Sequence, residues 1–206
     1  MFCDVRKDGM PGGLLNSCDV PRSIFWISTK SKNGTANLAP YSFSSAIAYD
    51  PPQVMFAVTG LREDGKPAHT LVNARECGEF VVNTVPHALR EKMNQTATAV
   101  GPEVDEFKLA NLIAIQSQLV EPPGVKQSPI RLECRVYDIR TLLGNHNTIV
   151  IGEVIGIHIN DDICEDGKVS WTSYQPVARL GRADGYTHVQ EQWLMQRPRG
   201  RGGSEQ

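Results

Sequence analysis

Residues 21–59 constrain the fold more than any other stretch, reading PRSIFWISTKSKNGTANLAPYSFSSAIAYDPPQVMFAVT. Residues 24–29 are apolar and β-branched, and Asn33-Gly34 follows in a polar stretch. Asn-Gly between two extended runs predicts a hairpin, because both residues tolerate positive φ. Residues 37–49 place small residues and hydroxyls around Phe43. Asp50-Pro51-Pro52 ends that run by removing two amide donors. Residues 53–59 form a third extended run, so the stretch predicts a three-stranded β-meander that begins a barrel or sandwich.

Beyond it, residues 60–67 read as a loop and 69–77 as a short helix closed by Gly78, with Thr70 as its N-cap. Residues 79–85 read as a strand, Pro86 as a first helical residue, and 88–97 as helix-prone. Residues 112–120 are apolar until Glu121-Pro122-Pro123-Gly124 breaks them. In 131–139, Leu132, Cys134 and Val136 alternate with Arg131, Glu133, Arg135 and Tyr137, the pattern of a half-exposed antiparallel strand. Residues 148–159 are apolar on both faces and belong in a core or beneath another subunit. Glu153 interrupts their isoleucine face, and a buried carboxylate there calls for a partner, an arginine or a proton relay. At least six strand-like runs with two inserted helices predict a mainly β fold: a Greek-key-like antiparallel β barrel or sandwich.

The 206 residues suit one domain, expected at 21–190, between a poorly ordered lead-in at 1–20 and a flexible tail at 191–206. A formal charge of −2 gives no reason to expect a nucleic-acid or membrane-surface partner, and the basic run at 197–201 is too short to change that. Five dispersed cysteines without Cys-x-x-Cys or His-Glu-x-x-His argue against a metal site or disulfide framework and for a reducing, cytoplasmic setting. Asp4, Arg6, Lys7 and Asp8 leave no apolar run for a signal peptide, and Leu15-Asn16-Ser17-Cys18 lacks the hydrophobic region of a lipoprotein box. The sequons at Asn33 and Asn94 are read as a hairpin turn and a helix end.

One ordered array carries a resemblance: Pro21, Arg22, Ile24, Trp26, Ser28 and Thr29; then Asn37, Ala39, Pro40, Tyr41 and Ser42; then Asp50, Pro51, Pro52, Val54 and Phe56. It resembles the flavin reductase-like family of FMN-binding split barrels, which includes flavoredoxin-like proteins. Phe43 stands one place early for the family's aromatic. Residues 78–83 (GEFVVN), a helix, and Asp105-Glu106-Phe107 continue the family order. The resemblance implies a split barrel, usually a homodimer holding flavin near the subunit interface. It further implies FMN (with FAD possible) as cofactor, NAD(P)H as co-substrate, and a monooxygenase or other electron acceptor as partner.

The chain has no Gly-x-Gly-x-x-Gly and no Walker-type loop, so a nucleotide cofactor must be held in another way. By the resemblance, Asn37, Leu38, Ala39, Pro40, Tyr41, Ser42, Phe43 and Ser44 would serve the flavin ring and ribityl chain. Read alone, they make an ordinary polar hairpin strand. Thr59, Arg62, Lys66 and Thr70 match the family's phosphate loop loosely, and a helix N-terminus at Thr70 would favour an anion. Glu63-Asp64-Gly65 inserts two acids there, and a solvated mixed-charge loop is the alternative. Aligned on Gly152-Glu153-Val154, the family's histidine position falls on Asn147. His146 is displaced by one, either near nicotinamide or exposed on a loop. Arg179-Leu180-Gly181 with Tyr186 resembles the family's closing segment near flavin, with Arg182 replacing a glycine. Otherwise this segment is an arm covering apolar surface, joined by Trp171 and Tyr174. The implied activity is NAD(P)H-dependent flavin reduction. An FMN-binding electron-transfer protein with little NAD(P)H activity is the alternative, and a cofactor-free structural subunit a third reading.

Overall fold

The computed structural model describes residues 2–144, 146–181, 184–196 and 198. Strand β1 (Phe25–Lys30) turns through residues 31–35 into β2 (Ala36–Tyr41). Gly34 has φ 86° in that turn, and Ser31 N–H donates to the Thr35 carbonyl at 2.9 Å. A bend at Ser42-Phe43 leads to β3 (Ser44–Tyr49) and β4 (Pro52–Thr59). β5 (Glu79–Asn83), β6 (Ile130–Thr141) and β7 (Asn147–Ile159) complete a seven-stranded sheet in the order β2-β1-β5-β6-β7-β4-β3. Every pairing in it is antiparallel.

The expected meander is therefore two hairpins. β1–β2 and β3–β4 lie at opposite ends of the sheet order, and the chain crosses between them at Ser42-Phe43. Pro40 explains part of this: it lies on edge strand β2, where a residue without N–H leaves no ladder bond unmade.

Alternation sends side chains into two cores. Ile27, Val54, Phe56, Phe80, Val82 and Val150 fill the barrel interior. Trp26, Leu38, Met93, Phe107 and Val125 pack outside it, with the helices at Arg90–Gln95 and Glu106–Leu109. Trp26 is fully buried and donates from Nε1 to Thr96 Oγ1 at 2.8 Å, which satisfies its one polar atom. Asn83, also fully buried, donates to the Trp26 carbonyl and Ser28 Oγ and accepts from Val125 N–H at 2.7 Å.

A short helix, α1 (Leu14–Cys18), follows the one-turn helix Val5–Asp8, within the stretch where the sequence suggests a poorly ordered lead-in. Arg22 holds it down: Nη1 donates to the Asn16 and Asp19 carbonyls at 2.5 and 2.6 Å, and Nη2 to the Leu180 carbonyl at 3.2 Å. Helix α2 (His69–Cys77) ends on Gly78, left-handed at φ 70°, as its sequence predicts. Its N-cap is Ala68 rather than Thr70, which lies inside the first turn and is buried. Helices α3 (Arg90–Gln95) and α4 (Glu106–Leu109) follow, and Asp105 caps α4 by accepting from Phe107 N–H at 3.0 Å. A hairpin of β8 (Val177–Arg179) and β9 (Tyr186–His188) pairs with Arg22-Ser23. Arg182 and most of the basic run at 197–201 lie outside the described residues.

Two carboxylates depart from the sequence expectation. Glu153 is exposed rather than buried, so it needs no arginine partner. Glu133, expected on a wet face, is 1% exposed, because residues 116–119 fold across that face. Gln118 and Leu119 N–H donate to its two oxygens at 2.8 and 2.6 Å, and His158 Nε2 lies 2.5 Å away. The bonds to the charged form hold the Glu133 pKa below the ordinary carboxylate value against burial, which alone would raise it.

Candidate functional site

A cleft of about 910 Å³ opens on the outer face of β3, β4 and β7. Its floor is apolar: Met55 and Ala57 of β4 lie beside Ile149 of β7, where Ala57 and Ile149 are register partners. Phe43 and the hydroxyls of Ser42, Ser44 and Ser45 form one rim, and Leu142 and Leu143 another. Ser23 and Ser44 fix the first rim by reciprocal hydroxyl-to-carbonyl bonds of 2.8 and 3.2 Å. The Arg22 guanidinium lies 5.5 Å from the Phe43 ring centroid.

A second hollow of about 350 Å³ shares Ser42, Phe43, Ala57 and Thr59 with this cleft and extends it to Tyr41, Gly60 and Arg62. The groove thus runs from an apolar slot to a guanidinium. Arg62 Nη2 donates to Asp64 Oδ2 at 2.9 Å, and Nη1 donates to His69 Nε2. Its Nε is buried with no hydrogen-bond partner. Burial, then the neighbouring Arg62 charge, lowers the His69 pKa, which suits a neutral imidazole accepting from Arg62.

The structure brings Pro40, Tyr41, Ser42, Phe43, Ser44, Thr59 and Arg62 to this groove. It does not bring the others. Asn37 and Thr70 are buried behind the wall, with Asn37 Nδ2 donating to Thr70 Oγ1 at 2.9 Å. Thr70 also hydrogen-bonds Tyr41, whose pKa burial pushes up to about 12. Leu38 is fully buried in the outer core, and its N–H donates to Glu106 Oε2 at 3.0 Å. Ala39 is half-buried opposite Ile27, and Lys66 is exposed. Arg179 lies in the C-terminal hairpin with its guanidinium 4.5 Å from the Tyr186 ring centroid. His146 is exposed at φ 67°, whereas Asn147 lines the cleft beside Thr59, its register partner.

Sequence reasoning assigned no role to Arg22, Met55, Ala57 or Ile149, which shape the cleft. The signal for the last three was their position in strands. The outward parity of Met55, Ala57 and Ile149 leaves apolar side chains on a face that opens to the cleft among the described residues. Among the described residues no cluster of His, Cys, Asp and Glu is fit to hold a metal ion. No helix among them is long and apolar enough to cross a membrane.

A mainly β fold built on a large antiparallel sheet is the architecture of the split-barrel flavin reductases, and the solved neighbours share that fold. The flavin reductase like domain matches residues 17–175, and the chain belongs to that family. An uncharacterized protein of Halalkalibacterium halodurans is 34% identical over 90% of each chain. Uncharacterized protein YwrF of Bacillus subtilis is 30% identical, over 90% of this chain and 92% of that one. The fold superimposes on nitrilotriacetate monooxygenase component B from Bacillus cereus with a TM-score of 0.86 and 28% identity, covering 95% of this chain and 99% of that one. It also matches flavoredoxin of Desulfovibrio vulgaris in fold, with a TM-score of 0.75 at 19% identity over 86% and 91% of the two chains.

Proposed function

We propose that the protein is an FMN-binding oxidoreductase that accepts hydride from NAD(P)H, with FAD as the other flavin the cleft could take. The observation that carries this reading is the groove itself. It is apolar at one end, passes the hydroxyls of Ser44 and Thr59, and ends at a guanidinium with a buried, unpartnered Nε. Those are the needs of a planar ring, a polyol chain and a phosphate in that order, and the cleft volume lies in the range of small-molecule sites, about 300–1,000 Å³.

A bound flavin would supply the redox chemistry, so the chain needs no nucleophile–base pair. Its own side chains hold and orient. Met55, Ala57 and Ile149 offer an apolar bed that keeps water from one ring face, and Phe43 with Arg22 fixes the rim. Ser42, Ser44 and Ser45 bring hydroxyls and backbone groups to the polar edge, and Arg62 offers positive charge to the phosphate. The open apolar bed suits cover by a second copy of the chain, so the proposed working form is a homodimer in the cytoplasm. The likeness to a monooxygenase component supports an oxygenase, or another acceptor, as the partner that takes electrons.

A second reading, an electron-transfer flavoprotein with little NAD(P)H activity, draws on Asn147, which lines the cleft at the position of the family's histidine. The visible spectrum of the purified protein, with added FMN and then anaerobic NADH, separates the two. Bound flavin that bleaches rapidly is expected. Flavin that stays oxidised with both NADH and NADPH favours the carrier, and protein that takes up no flavin overturns both readings.

A further inference from the structure

We propose that the Asp64 carboxylate acts as a built-in competitor for the flavin phosphate, making flavin a weakly held, exchangeable ligand rather than a resident cofactor. This rests on the flavin reading above and adds the strength and control of binding at that site. Arg62 is the cationic end of the groove, and Asp64 takes its Nη2 at 2.9 Å. The acid is held there by its own loop. Asp64 Oδ1 accepts from Lys66 N–H at 3.1 Å, Gly65 N–H donates to the Arg62 carbonyl at 2.9 Å, and Arg62 N–H donates to the Lys66 carbonyl at 2.9 Å. A five-residue loop therefore presents one carboxylate to the guanidinium at its own base.

His69 takes one bond from Nη1 and Asp64 one from Nη2, and the buried Nε has no partner. A phosphate arriving at this guanidinium must displace the carboxylate or lie beside it, against like charge. Asp64 is about half exposed (48%) while Arg62 is mostly covered (20%), so the carboxylate is the partner free to swing into water. Glu63, next in the chain, is exposed and adds charge without this pairing. The sequence insertion Glu63-Asp64-Gly65 thus becomes a gate of one residue. Riboflavin, which lacks the phosphate, should not sense it.

Equilibrium titration of the full chain with FMN and with riboflavin, followed by flavin fluorescence quenching, tests the proposal. Asp64→Asn keeps an Oδ1 acceptor for Lys66 N–H but removes the charge, and Asp64→Ser repeats the test should the first variant misfold by circular dichroism. FMN is expected to bind the Asp64 variants roughly tenfold or more tightly than wild type, while riboflavin changes by less than about twofold. Glu63→Gln, which removes the same charge outside the pair, is expected to give FMN less than about a third of that gain. Equal FMN affinity in wild type and Asp64 variants, or an equal gain with Glu63→Gln, overturns the gate while leaving the flavin site standing. Failure of every variant to quench either flavin overturns the gate and the flavin reading together.

Discussion

At the scale of single residues, Glu106 is a buried carboxyl whose ionisation bears on folding. It is 4% exposed at the start of α4, and burial pushes its pKa up to about 7 from 4.5, only partly offset by the amide bonds to its carboxylate. The folded state therefore binds a proton that the unfolded chain has released between those two values. Its stabilising contribution is full below about pH 4.5 and is lost as the pH rises through about 7. Glu106→Gln keeps an acceptor for Leu38 N–H and cannot ionise. Relative to this variant, wild type should lose up to roughly 3 kcal/mol of unfolding free energy across the window. Urea titrations at both ends of the window measure this, and identical pH slopes for the two proteins would sink it. The sequence placed this glutamate in a family run, Asp105-Glu106-Phe107, but did not mark its burial, because its environment comes from β2 packing on α4, far off in the chain. Glu133 was misplaced for a related reason. Strand alternation assigns faces but is blind to loops that cross them, and residues 116–119 reverse the fate of Glu133.

Elements were read best where punctuation is local. The bounds of α2 follow from Gly78, whose left-handed φ of 70° closes the helix whatever packs on it. The Thr70 cap failed because its hydroxyl is taken by Asn37 and Tyr41, partners from β2. The bend at Ser42-Phe43 was invisible within a continuous run of small residues, and with it went the distinction between a meander and two hairpins. Strand β7 shows what glycine does inside an element. Its ladder with β6 shifts register between Ile151 and Gly152, and a Cβ at Gly152 would overlap the Phe80 ring, which is fully buried in the barrel. Gly152→Ala should cost about 1–3 kcal/mol through this overpacking. In a Phe80→Leu background the same substitution should cost clearly less, as measured by guanidinium midpoints. An equal cost in both backgrounds would place the requirement in the backbone instead.

At the scale of the molecule, the ordered array at 21–59 made the family legible, while the cleft was not, because its floor is assembled from β4 and β7, whose cleft residues lie about ninety positions apart. That floor also bears on assembly. Ile151 points outward between inward-facing Val150 and Gly152, in register with Met55, and continues the apolar row of Met55, Ala57 and Ile149 on the cleft floor. An uncovered apolar row of this kind suits a protein–protein contact better than water. In the proposed homodimer this face is covered, and each copy closes the other's cleft. Sedimentation equilibrium should then give twice the 22.7 kDa chain mass for wild type. Ile151→Glu places a charge in the contact, and a dissociated 22.7 kDa species is expected. Flavin binding should weaken in parallel, since the variant leaves the groove of each copy intact but uncovered. A wild-type protein that sediments as a monomer at all concentrations rejects the dimer, and a monomeric variant with undiminished flavin affinity rejects the shared site.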